Sequence, residues 1–509
     1  MSLSVHFALS LCVWMCMSGY FLPEQIHVSF GVTPDIITFN WLTFDYPIQT
    51  QSFVKIGLQP LVSSLNMNNT GNEYLFTDLG SLRTNRTIHV VSINNLLPST
   101  RYYYQCGDPL QGWSDIYTFK TSASKDTLMD NLPMKLLMIG DMGTTNTQAL
   151  PAITEVVLNQ DTDFIVHVGD FAYDMYEENG TRGDEFMRDI QTVSANTPYM
   201  VCHGNHESFY NFSHYTQRFR GQPSNTGTVW TSSGECPNNW YYSYNVGLIH
   251  FIALSTEIYF DFPYMIEEQY NWLIKDLMIA NMNRTQAPWV IVYMHRDLYC
   301  SASSTHCTSE ADRLIYGVNV NGSMKYGLED VFYNFGVDFI WTGHVHNYER
   351  TWDVYHNMTT KTTTDMPAPT YINNGDAGNR EGHAGFTQNQ PTWSAYRTNC
   401  YSYSKIDVYN ATHIHFRQIV SDNEGSPCNN GDILDDIVFI QHNHGPYSDN
   451  YGDISQINHA TNINGITYDA YMENSMTPKI AKQDIEDTKY IPYISNNKDD
   501  YIGVEPMYL

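Results

Sequence analysis

FIVHVGDFAY, Phe164–Tyr173, decides the fold of this chain. A run of apolar and β-branched residues stops at Gly169 and Asp170, which is how a buried parallel strand ends in a functional loop. Four more stretches repeat the pattern: LLMIGDMG (Leu136–Gly143), MVCHGNHE (Met200–Glu207), VIVYMH (Val290–His295) and FIWTGHVH (Phe339–His346). Ligands bind beyond the carboxyl ends of such strands, so segments far apart in sequence can converge on one place. Each ends in metal-binding side chains: Asp141, then Asp170 with Tyr173, Asn205, His295, and His344 with His346. Four oxygen donors and three imidazoles are too many for one ion, but they suit two ions bridged by a carboxylate. A lone Gly-Asp is usually a turn and a lone His usually a satisfied core or surface residue; the ordered set is what points to chemistry.

In this order the segments GDMG, GDFAY, GNHE, VYMH and GHVH resemble the metallophosphoesterases, and within them the long, two-domain purple acid phosphatases. Gly143 stands where ordinary metallophosphoesterases carry a ligand His, and Tyr173, three residues after Asp170, supplies the missing donor. A phenolate is a hard anionic ligand that favours ferric iron. The stretches PEQIHVSFG (Pro23–Gly31), STRYYYQCG (Ser99–Gly107), GNREG (Gly378–Gly382) and YSYSKIDVYNATHIHF (Tyr401–Phe416) extend the resemblance over most of the chain.

The resemblance implies a ferric site held by Asp141, Tyr173 and His346, and a divalent site, for zinc, iron or manganese, held by Asn205, His295 and His344. Asp170 is implied to bridge them. The implied activity is an acid phosphatase, hydrolysing phosphate monoesters through a metal-bound hydroxide at an Fe(III)–M(II) centre with no phosphoenzyme. His206, beside Asn205, is the expected proton donor to the leaving group; its alternative role is to orient Asn205. Asn205 and His206 are also expected to touch substrate. Where plant members carry a further His pair, this chain reads HRDLYCSASSTHC, so Arg296 and His306 are the candidate phosphate contacts there. Two other functions remain open: a metallophosphoesterase preferring diesters or nucleotides, and a non-enzymatic binding or adhesion protein. The second predicts eroded ligands, and none is eroded.

Residues 22–124 alternate apolar and polar residues in short segments (IHVSF, IITFNWLTF, TIHVVSI, RYYYQC, DIYTF), which predicts an all-β fibronectin-like sandwich. From 134 to 440 strands alternate with amphipathic stretches such as Gln269–Ile279 and Gly327–Phe335, and NVGLIHFIAL (Asn245–Leu254) reads as a further core strand. The family implies an α/β metallophosphoesterase domain here, a β-sandwich core flanked by helices, with a C-terminal purple acid phosphatase segment at 367–430. From 443 to 509 the chain is rich in Asn, Asp and Tyr without a sustained apolar period, and is expected to be a poorly ordered acidic tail.

Residues 1–20 hold an apolar run of about 13 residues before Ser18 and Gly19, which fits a signal peptide and is too short for a membrane span. The expected location is secreted or in an endosomal or lysosomal lumen. Nine cysteines include Cys12 and Cys16 in that leader, leaving an odd number. Cys300 with Cys307, and Cys400 with Cys428, are the expected pairs, and Cys202 is expected to be a buried thiol. Sequons at Asn68, Asn85, Asn179, Asn211, Asn283, Asn321, Asn357 and Asn410 are about as frequent as so much Asn, Ser and Thr yields by chance. A formal net charge of −28 argues against nucleic acid as a partner. Small phosphate esters are the expected partners, and a homodimer is compatible with the sequence.

Overall fold

The computed structural model describes residues 21–447 other than 34, 125–126 and 423–427. The leader, and the tail beyond 447, lie outside the described residues. Among the described residues no helix is long and apolar enough to cross a membrane.

The N-terminal alternation becomes two antiparallel sheets. One runs Glu24–Phe30, Ile37–Thr43, Asn85–Ile93, Asn72–Thr77; the other runs Met67–Thr70, Phe53–Gly57, Arg101–Asp108, Gly112–Trp113, with Tyr117–Lys120 also paired to Arg101–Asp108. Every second residue points inward, so Ile26, Val28 and Phe30 meet Phe39, Trp41, Tyr102 and Tyr104 in one buried cluster. Each such side chain contributes about 1.5–3 kcal/mol by leaving water. This core continues past the sandwich: Phe30 packs edge-on against Phe164 at 5.5 Å, and the Tyr104 hydroxyl donates to the Ala195 carbonyl at 2.8 Å.

Two larger sheets follow. Tyr199–Cys202, Phe164–Val168 and Met134–Ile139 lie parallel, and are continued by the antiparallel strands Ser402–Val408, His413–Val420 and Ile433–Ile440. The second sheet has Tyr242–Val246, Ile249–Ala253, Trp289–Tyr293, Phe339–Thr342, Thr370–Asn374, Tyr348–Asp353 and Ser394–Thr398 in that order, with Ile249–Ala253 through Thr370–Asn374 parallel. Their facing side chains share one core; Phe164 meets Phe251 at 5.6 Å, for example. The β-sandwich core with outer helices is therefore as expected.

The helices sit close to their predicted places, at Ile266–Met282 and Glu329–Asn334. Asn245–Leu254 differs from the sequence reading. Asn245 and Val246 end one strand, Gly247 turns at φ +57°, and Ile249–Ala253 returns antiparallel, so the segment is a hairpin corner. A mostly apolar stretch hid the turn, whose one sign was Gly247. The stretch expected to begin the loose tail is seated at its start, where the Tyr447 hydroxyl donates to the Val337 carbonyl at 3.0 Å.

Candidate metal centre

Four parallel strands deliver a ligand type two residues past their last residue: Ile139 to Asp141, Val168 to Asp170, Tyr293 to His295, and Thr342 to His344. Cys202 leads to Asn205 after three. Asp141, Asp170, Tyr173 and His344 all adopt left-handed backbone, at φ +60°, +55°, +52° and +68°. Each such residue costs of order 1–3 kcal/mol, and strain of this kind collects at functional sites.

The structure brings all seven predicted ligand residues together, in two groups that share Asp170. In one, His295 Nε2 lies 3.1 Å from Asp170 Oδ2, 3.1 Å from Asn205 Oδ1 and 3.2 Å from His344 Nδ1. In the other, the Tyr173 hydroxyl lies 3.1 Å from Asp141 Oδ1 and 2.9 Å from His346 Nε2, which is 3.4 Å from Asp141 Oδ1. Asp141, Asp170 and His346, and separately Asp170, His295 and His344, have donor atoms close enough to share one ion each.

The protonation pattern fits cations. His295 Nδ1 donates to the Val168 carbonyl at 2.9 Å and His346 Nδ1 to the Gly382 carbonyl at 3.0 Å, so each neutral ring turns an Nε2 lone pair inward. There it meets other acceptors, and either a proton or a metal ion must reconcile them. Burial pulls the His295 pKa down, but the Asp170 carboxylate outweighs it and lifts the group to about 10, a field that attracts any cation. Burial, then the neighbouring Arg296 charge, keep His344 neutral, as a ligand must be. Burial and the carboxylates of Asp141 and Asp170 push the Tyr173 phenol well above its ordinary value, so only a strong Lewis acid binding its oxygen would displace the proton.

Several supporting residues escaped the sequence reading. Glu207 is buried, and its carboxylate accepts from the backbone amides of Asp170, Phe171 and Gly204 at 2.8–2.9 Å, pinning two ligand loops together. Asn379 Nδ2 donates to the Tyr173 hydroxyl and to the Asp141 carbonyl. Asp174 Oδ1 accepts from His206 Nδ1 at 2.5 Å, while Arg380 holds the other Asp174 oxygen at 3.1 Å. All lie inside or beside quoted motifs, yet nothing in residue type alone separates a ligand from its support.

His206 stands over Tyr173 with ring centroids 4.4 Å apart, and its Nε2 is 3.9 Å from Asp170 Oδ2. Burial lowers its pKa, but Asp170 and Asp174 outweigh this and raise it to about 10. The cleft above holds about 340 Å³, at the small end for ligand pockets, and is lined by Asp170, Asn205, His206, Ser303, Ser304, His306, His344, Glu381 and His383 among others. His306 is therefore placed at the cleft as predicted. Arg296 is not among the lining residues: its guanidinium is taken by Glu257 and by Glu310, and it reaches His344 Nε2 at 3.1 Å.

Comparison with known proteins agrees with this geometry. Residues 134–348 match the model of the calcineurin-like phosphoesterases, 23–121 that of the purple acid phosphatase N-terminal domain, and 368–435 that of the iron/zinc purple acid phosphatase-like protein C. Acid phosphatase type 7 of Homo sapiens is 37% identical over 428 residues, 82% of this chain and 91% of that protein. Purple acid phosphatase 15 of Arabidopsis thaliana is 31% identical over 398 residues, 71% of this chain and 69% of that protein. The purple acid phosphatase PPD1 from yellow lupin (Lupinus luteus) seeds superposes with a TM-score of 0.64 at 22% identity, covering 83% of this chain and 75% of that one, and so shares the fold. With models matched in the N-terminal, central and C-terminal parts and relatives of this identity, the chain belongs to the purple acid phosphatase family of calcineurin-like phosphoesterases.

Proposed function

We propose that this protein is an acid phosphatase, a hydrolase of phosphate monoesters that works at a pair of metal ions. The observation that carries the reading is the pair of donor groups sharing Asp170. Asp141, Tyr173 and His346 would hold a ferric ion, and Asn205, His295 and His344 a divalent zinc, iron or manganese ion, with Asp170 common to both. When bound, the pair supplies Lewis acidity that makes a nucleophile from water at low pH and neutralises charge on the phosphoryl group.

The chain's own residues do the rest. His206 has Nδ1 tied to Asp174 and turns Nε2 to the cleft, with Glu381 at 3.6 Å and Asp170 at 3.9 Å, so it donates its Nε2 proton to the leaving oxygen. Asn205 offers Oδ1 to the His295 side and leaves its amide hydrogens for a phosphate oxygen. His306, on the cleft wall, is the second phosphate contact, and Arg296 adds positive charge from behind His344. The small cleft suits a phosphate with a compact leaving group; the bulk of a larger alcohol would remain in solvent. Disulfides Cys300–Cys307 and Cys400–Cys428 form as expected, and such bonds persist outside the cytosol, which supports secretion or a lumenal location behind a cleaved leader. Cys106, Cys202 and Cys236 are buried thiols.

The test is the visible spectrum of the purified oxidised protein with its metal content and its turnover of p-nitrophenyl phosphate. A broad visible band that disappears in Tyr173→Phe, with acid phosphatase activity, is expected. A colourless protein holding two non-iron metals would remove the ferric–tyrosinate assignment.

A further inference from the structure

His344 has two working edges. Nδ1 faces His295 at 3.2 Å. A neutral ring with its lone pair on Nδ1 carries its hydrogen on Nε2, and that hydrogen needs an acceptor. Three groups stand there: Arg296 Nη1 at 3.1 Å, His306 Nδ1 at 2.9 Å and Glu310 Oε2 at 3.5 Å. Arginine only donates, so it cannot take the hydrogen. His306 Nδ1 is itself 3.1 Å from Glu310 Oε2, and while it donates to that oxygen it is no acceptor for His344. Only the Glu310 carboxylate accepts from every neighbour.

Glu310 is built into place. It lies in the first turn of the helix Ser309–Tyr316, immediately beyond the Cys300–Cys307 disulfide. Arg296 Nη1 donates to its Oε2 and the Thr305 hydroxyl to its Oε1 at 3.2 Å. Arg296 is in turn clamped by the fully buried Glu257 at 2.8–3.0 Å and covered by the Phe260 ring.

We propose that Glu310, locked by Arg296, is the positioning residue for His344: its carboxylate accepts the Nε2 hydrogen, fixing the tautomer and ring orientation that turn Nδ1 to the divalent site. The same carboxylate accepts from His306 Nδ1 and so presents His306 Nε2 to the cleft, which ties metal retention and phosphate contact to one side chain. This inference rests on the dinuclear reading above. It assigns Arg296 a supporting part behind the centre, in keeping with a guanidinium already saturated by carboxylates.

The experiment measures divalent-ion retention by the full-length purified protein during titration with a chelator, alongside the visible band, for wild type, Glu310→Gln, Glu310→Asp and His306→Ala. Losing a carboxylate that supports a metal-bound histidine weakens metal affinity by about ten- to a hundredfold. The expected result is that Glu310→Gln loses the divalent ion at correspondingly lower chelator while keeping the Tyr173 band, that Glu310→Asp falls between, and that His306→Ala retains the metal. Should Glu310→Gln fail to fold by circular dichroism, the Glu310→Asp titration decides alone. Wild-type retention in the glutamate variants, or metal loss in His306→Ala alone, would overturn the assignment. A wild-type protein that binds no divalent ion would instead sink the dinuclear reading itself.

Discussion

Gly204 and Gly343 show why the motifs carry glycine next to a ligand. A Cβ on Gly204 would sit 2.2 Å from Asp170 Oδ1 and 2.7 Å from His295 Nε2, and one on Gly343 would sit 2.3 Å from Asp141 Oδ2. Asp170 Oδ1 and Asp141 Oδ2 accept from the backbone amides of His206 and His344 and so aim the two carboxylates, and His295 Nε2 faces Asp170 and Asn205, so even one methyl group would push these candidate ligands apart. Gly343→Ala should therefore lose metal in proportion to lost activity, a result read by elemental analysis of the purified variant. His206 is different, since its side chain meets the cleft and no strand end depends on it. His206→Ala should lower kcat by about 10²- to 10⁴-fold, the usual share of a general acid, with metal content unchanged. If metal falls in step with kcat, His206 serves to hold Asn205 in place, the alternative role considered for it from sequence.

At the scale of elements, the sequence was legible where an apolar run met a glycine and a ligand. That coincidence marks the end of Phe164–Val168 or Phe339–Thr342 without knowledge of what packs beside it. The hairpin at Gly247 was not legible, because nothing between Asn245 and Leu254 except Gly247 marks a chain reversal. Glu207, Asn379 and Glu310 were hidden for another reason: their value lies in hydrogen bonds to residues of other elements, which periodicity does not carry. The segment Cys300–Cys307 combines both cases, since the disulfide follows from spacing whereas the position of the loop, placing Ser303, Ser304 and His306 on the cleft wall, is signalled in the sequence at His306 alone. Closing so short a loop contributes about 2–3 kcal/mol by chain entropy. Replacing both cysteines with serine should lower the melting temperature and raise KM for a small ester several-fold, with kcat changing less. An unchanged KM would mean that the helix Ser309–Tyr316 holds the loop unaided.

Across the whole molecule, the N-terminal sandwich meets the catalytic region through buried charge. Asp184, on the helix that follows Tyr173 and Asp174, binds Arg86 of the sandwich at 2.6–2.7 Å and Arg218 at 2.8 Å, on the helix that follows His206. Both helices lead out of loops that carry candidate ligands, so the sandwich braces that part of the molecule from behind. Arg86→Met leaves the buried Asp184 with the charge of Arg218 alone and one oxygen unpaired, and should cost on the order of 3 kcal/mol of stability, read by denaturant unfolding. Beside this cluster His214 Nε2 meets Asp78 Oδ2 at 2.8 Å, with Arg86 and Arg218 nearby and Phe76 against the ring. Burial, aided by the two arginines, outweighs Asp78 and lowers the His214 pKa to about 4. Burial takes His27 and His89 in the sandwich to about 4 as well. Below the ordinary histidine pKa of about 6.5 the unfolded chain binds protons that the folded chain refuses, so stability falls with pH until the folded groups titrate near 4. Each such shift is worth on the order of 3 kcal/mol at the acid end. The melting temperature should therefore decline between about pH 6.5 and 4, and His214→Gln, which can still donate to Asp78, should flatten part of that slope. An unaltered slope in the variant would show that His214 is protonated in the fold and that the seam carries one more positive charge than burial permits. An enzyme that hydrolyses esters in acid would then work on the descending side of its own stability curve, where the arginine–aspartate brace matters most.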